Sequence, residues 1–130
     1  MIVTSLLLAL AQAGEPAAQS APSEAAVADE IVVIGKKMDM WRGGIFKRDG
    51  QLTCRTEKSS GDLAIDAVHC GAMVKCYAPH VEELDRIAAK DAPRSQRNAE
   101  MQAIGEAAKP CLEDAKAEAV RRLAEFRAAD

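Results

Sequence analysis

Aromatic side chains are scarce in this chain of 130 residues: Trp41, Phe46, Tyr77 and Phe126 are the whole set. With alanine supplying much of the apolar content, the core is light. A domain of this size gains little margin from burial alone. No C-x-x-C pair occurs, so the usual spacing of structural zinc, of thioredoxin-type redox pairs and of haem attachment is missing. There is no G-x-S-x-G, H-E-x-x-H, phosphate-binding loop or dinucleotide fingerprint. His69 and His80 are the only imidazoles, and neither stands beside an evident nucleophile. These absences leave no catalytic residue to name and no cofactor to expect. An enzyme is the less favoured reading. Nor does any stretch approach the roughly 20 apolar residues a membrane helix needs.

What is present begins with a short apolar run, Ile2–Leu10, followed by Ala11-Gln12-Ala13. An apolar segment ending in an A-x-A box has the form of a secretory signal peptide, so residues 1–13 are expected to be removed. The run lacks a preceding Lys or Arg, which leaves two options: the Met1 amine serves alone, or the start codon lies further upstream. Residues 14–29 are rich in Ala, Pro, Ser, Gln and Glu without periodicity and read as a disordered linker. Residues 30–130 then form one small domain. A periplasmic or secreted location follows from the leader.

Cys54, Cys70, Cys76 and Cys111 are the four cysteines. In an exported small chain an even count reads as a disulfide framework. The competing reading is a zinc site drawn from Cys54, His69, Cys70, Cys76 and His80.

The local pattern predicts an α+β fold rich in helix. Ile31-Val32-Val33-Ile34 is β-branched throughout and reads as a short N-terminal strand. Asp49-Gly50 between two short runs signals a hairpin with a type I′ turn, pairing Ile45 with Cys54 and Lys47 with Leu52. Asp62 is a candidate helix N-cap. From Leu63 to Tyr77 two apolar stripes arise at helical spacing: Leu63, Ala67, Cys70, Val74, Tyr77, and Ile65, Val68, Ala72, Cys76. Pro79 opens a further helix, Asp91-Ala92-Pro93 ends it, and Pro110 is expected to break or kink the next. The strand and hairpin thus pack on about four helices. If residues 63–77 are one helix, Cys70 and Cys76 stand about 9 Å apart along it, beyond the ~7 Å a disulfide spans, and point about 120° apart. The expected pairing is Cys54–Cys70 and Cys76–Cys111, with Leu63 facing the hairpin.

Charge is unevenly spread. Residues 36–58 hold seven Lys and Arg against three acids, a local +4 in a chain of net −3. Trp41, Arg42, Lys47, Arg48 and Arg55 are therefore the expected contact surface, facing an envelope protein or another anionic envelope component. Nucleic acid is not an expected partner. The bland alternative is a solvated hairpin face.

The segment Asp49–Cys70, D-G-Q-L-T-C-R-T-E-K-S-S-G-D-L-A-I-D-A-V-H-C, resembles the strand–turn–helix of TonB-type C-terminal domains. Gly50, Leu52, Ser59-Ser60-Gly61, Ile65-Asp66 and Ala67 carry the resemblance, and Tyr77-Ala78-Pro79 extends it over about residues 49–79. The family's closing strand, stalk and anchor are missing. Glu30–Gly35, E-I-V-V-I-G, is similar to the TonB box of outer-membrane receptors, a segment that acts as an added strand. Three readings follow: a non-catalytic periplasmic binding or adaptor protein; a TonB-like or TonB-box-bearing protein that meets the transport machinery; a small envelope hydrolase or inhibitor.

Overall fold

The structure, a computed structural model, describes residues 21–130. The expected leader and the first part of the expected linker, residues 1–20, lie outside the described residues. The order of elements is α1 (Glu24–Met38), β1 (Arg42–Arg48), β2 (Gln51–Lys58), α2 (Leu63–Tyr77), a 3-10 turn (Ala78–His80), α3 (Val81–Ala88) and α4 (Arg94–Ala128). The fold is α+β: one antiparallel hairpin set against helices and tied by two disulfides.

The N-terminal strand is not formed. Ile31–Ile34 lies inside α1, and Glu24–Asp29 belongs to the same helix rather than to a linker. Ser23 caps it, its Oγ accepting from the Ala26 amide at 3.1 Å. Glu24 stands in the first turn and Lys36 and Lys37 in the last, each favourable to the helix dipole. Val27, Ile34 and Met38 recur at helical spacing, and Ile34 is fully buried against Ile65 and Ala124. That stripe outweighs the strand preference of four β-branched residues, which is a weak force without a neighbouring strand. Glu30–Gly35 is accordingly helical, not extended.

The hairpin has the expected register, Ile45 opposite Cys54 and Lys47 opposite Leu52. Asp49 and Gly50 both take positive φ, 51° and 78°, as a type I′ turn requires. A register shift between Arg42 and Gly43 bulges the open end.

Helix α2 spans the expected residues, and Asp62 Oδ1 accepts from the Ala64 and Ile65 amides. Its facing agrees with one of the two expected stripes and departs from the other at Leu63. The inward residues are Ile65, Asp66, His69, Ala72 and Cys76, while Leu63 is 85% exposed. The expected stripe through Ile65, Ala72 and Cys76 is thus the buried one, with Asp66 and His69 sharing its side, and the correction falls on Leu63, the residue expected to face the hairpin.

Helix α4 runs unbroken for 35 residues with Pro110 inside it. Proline removes one amide donor and crowds the preceding turn. Here Glu106, Lys109 and Pro110 are exposed, so water can reach the carbonyl left without a partner. The Cys76–Cys111 bridge beside the proline holds α4 against α2. Buried Ile104, Ala108 and Ala124 anchor α4 on both sides of the interruption.

Candidate functional site

The hairpin and the start of α2 gather most of the side chains singled out by the sequence. Cys54 on β2 bonds Cys70 on α2, with Cα atoms 5.3 Å apart. Cys76 bonds Cys111, with Cα atoms 5.7 Å apart. Both pairings are as expected and use every cysteine, which removes the zinc alternative. Among the described residues no group of three or more His, Cys, Asp or Glu side chains is placed to hold a metal ion.

Trp41 is not a surface residue. It is 7% exposed, stacked on His69 with ring centroids 4.4 Å apart and planes within 4°. Its Nε1 donates to Thr56 Oγ1 at 2.9 Å. The indole therefore fills the space between the end of α1, the hairpin and α2. Gly43 makes that possible: a Cβ there would collide with the Trp41 ring and the Arg55 carbonyl. One clustered aromatic thus supplies much of what a light core lacks.

His69 is the residue that a reading of the sequence undervalues. Its Nε2 lies 3.1 Å from the Met38 carbonyl, which can only accept, so Nε2 carries the proton. Nδ1 is buried without a partner among the described residues. Burial lowers the His69 pKa below 6.5, and the charge of Lys116 on α4 lowers it further. The Met38 bond, Asp66 and Asp39 oppose that shift. Burial and the missing Nδ1 partner both favour the neutral ring.

Ser59-Ser60-Gly61-Asp62 is a cradle for Asp66. Ser59 Oγ and Ser60 Oγ donate to its carboxylate at 2.5 and 2.6 Å, and the Ser60 amide donates at 2.9 Å. These bonds, the two hydroxyls foremost, hold Asp66 below its ordinary 3.8. Gly61 supplies the positive φ of 85° at which the chain reverses. Beside it, burial pushes the Asp62 carboxyl up. The Arg127 hydrogen bond and charge, with the Ile65 and Ala64 amides, more than offset this and hold it below 3.8. The S-S-G-D motif is thereby accounted for as the joint between β2 and α2.

The remaining predicted contact residues, Arg42, Lys47, Arg48 and Arg55, are solvent-exposed, and Phe46 joins two of them. Phe46, Arg48 and Arg55 lie on the hairpin face that carries neither Cys54 nor Leu52, with the Arg55 guanidinium 5.7 Å from the Phe46 ring centre. Arg55 also meets Glu57 at 3.3 Å. Lys47 is on the opposite face, joined to Asp85 of α3 at 2.8 Å. Arg42 folds back, donating to the carbonyls of Asp39 and Trp41. The expected five-residue surface is therefore divided: Trp41 is core, Lys47 and Arg42 are tied to neighbouring segments, and Arg48 and Arg55 face outward, joined there by Phe46, which is not among the residues expected from the sequence.

In comparison with known proteins, the chain matches no family model, no curated protein and no solved structure.

Proposed function

We propose that this is an exported, non-catalytic binding or adaptor protein of the periplasm or extracellular space, and that its contact surface is the outer face of the hairpin. The observation that carries the reading is the exposed trio Phe46, Arg48 and Arg55, mounted on a hairpin that Cys54–Cys70 fixes to α2. One guanidinium over an aromatic ring, with a second arginine on the same hairpin face, suits an anionic partner, because arginine forms paired hydrogen bonds with carboxylate or phosphate and stacks on rings. Two disulfides accord with an oxidising compartment. Cleavage after Ala13 would leave a protein whose intact mass begins at Gly14. The decisive experiment is co-purification of the oxidised protein from envelope extracts at low and high salt. A partner bound at low salt by the wild type and lost by the Arg48→Glu/Arg55→Glu variant supports the reading. Identical captures by both proteins refute it.

A second reading, a TonB-like module meeting the outer-membrane transport machinery, is supported by one observation. Asp49–Cys70 is disposed as strand, S-S-G turn and helix, the order its resemblance implies. A TonB-box role for Glu30–Gly35 would first require that part of α1 to unwind. Cross-linking to an outer-membrane transporter is the test of this reading.

A further inference from the structure

Helix α1 buries one side through Val27, Ile34 and Met38 and turns another outward. At 100° per residue that outer side carries Ala25, Asp29, Val32, Val33 and Lys36. All five are exposed, Val32 and Val33 by 56% and 48%. Two adjacent valines in the middle of this helix face leave about half of their surface open to water in the single chain. Their flanks are ordered: an acid four residues before Val33, a base four residues after Val32.

This arrangement is self-complementary in one direction only. Two copies of α1 laid antiparallel about a point between Val32 and Val33 bring Val32 of each onto Val33 of the other. The same symmetry sets Asp29 against Lys36 at both ends. It also opposes the two helix dipoles, acidic starts against basic ends. A parallel pair would instead set like charges against like. We propose that this face of α1 is an isologous dimer interface, the occupant being a second copy of the chain. The contact is one helix pair, smaller than the roughly 1,600 Å² of a standard interface, so association belongs in the high-micromolar range. The inference is independent of the hairpin reading, since the two surfaces share no residue.

The test is sedimentation velocity on the processed full-length protein over a concentration series, with two charge variants. Asp29→Lys alone and Lys36→Asp alone each place like charges at both ends, and each should weaken dimerisation about tenfold or more. An equimolar mixture of the two variants should restore it as a heterodimer, because one copy then presents a base at both positions and the other an acid at both. Val32→Asp should abolish association in every combination, with an unchanged circular-dichroism spectrum reporting an intact fold. A wild type that stays monomeric to millimolar concentration overturns the proposal, as does a dimer whose variants show no rescue on mixing.

Discussion

The imidazole of His69 lies flat against the indole of Trp41, 28 residues earlier in the chain, with 4.4 Å between ring centres. The pair closes the junction of the hairpin with two helices, and a proton on His69 would disturb it. A second N–H at Nδ1 would be buried with no acceptor among the described residues.

Stability should therefore fall as pH drops below about 6.5. The folded state holds His69 below that ordinary value, so the unfolded chain binds the proton first. The contribution is complete above pH 6.5 and is lost as pH falls towards the lowered folded value. Urea midpoints between pH 8 and 5 should show this decline, and His69→Phe should flatten it. Asp62 and Asp66 act in the same direction lower down, stabilising above about 3.8 and losing their effect as their carboxyls are protonated. Trp41 emission should be blue-shifted and poorly quenched by iodide.

Gly43→Ala should destabilise by about 1–3 kcal/mol, the usual cost of forcing a methyl into filled space. The obstacle is backbone on one side, the Arg55 carbonyl, so the added carbon cannot be relieved by a side-chain rotation alone. Gly44→Ala has open space around its Cβ and is the control. Thermal melts of the two variants, measured side by side, give the comparison.

Removing the bridges should cost about 3 kcal/mol for Cys54–Cys70 and about 4 kcal/mol for Cys76–Cys111, on a loop-entropy estimate. The order follows from their separations of 16 and 35 residues. Paired Cys→Ala variants measured by chemical denaturation should reproduce that order. A larger loss at the shorter loop would show that the hairpin leaves α2 once untied.

Pro110→Ala should raise the melting temperature. The alanine restores an amide donor towards Glu106 in the interior of α4 and removes the ring's clash, a gain of up to about 3 kcal/mol. Differential scanning calorimetry of the oxidised variant measures it.

The parts of this fold that sequence made legible are those governed by neighbours in the chain. The hairpin register follows from Asp49-Gly50, the start of α2 from Asp62, and the exclusion of a Cys70–Cys76 bridge from the length of helix between them. The misread parts depend on residues far away. Trp41, flanked by Met40 and Arg42, looks like a surface aromatic until His69 and Thr56 are brought to it. The α1 stripe of Val27, Ile34 and Met38 is hidden when a boundary is drawn at Asp29, because the cut leaves four β-branched residues in isolation. Of the candidate contact surface, Arg48 and Arg55 are solvent-exposed, while the ion pair that occupies Lys47 depends on Asp85 of α3.

The link between Cys76 and Cys111 also makes the middle of the molecule a closed ring of chain, containing α3 and the first half of α4. A protease that cuts the connection Ala89–Pro93 opens that ring without releasing a fragment. The two halves stay joined through sulfur, and the break becomes visible as two bands only when a reductant is added. In a protease-rich compartment, a single nick at this connection would leave hairpin, α2 and the end of α4 held together as one covalent body.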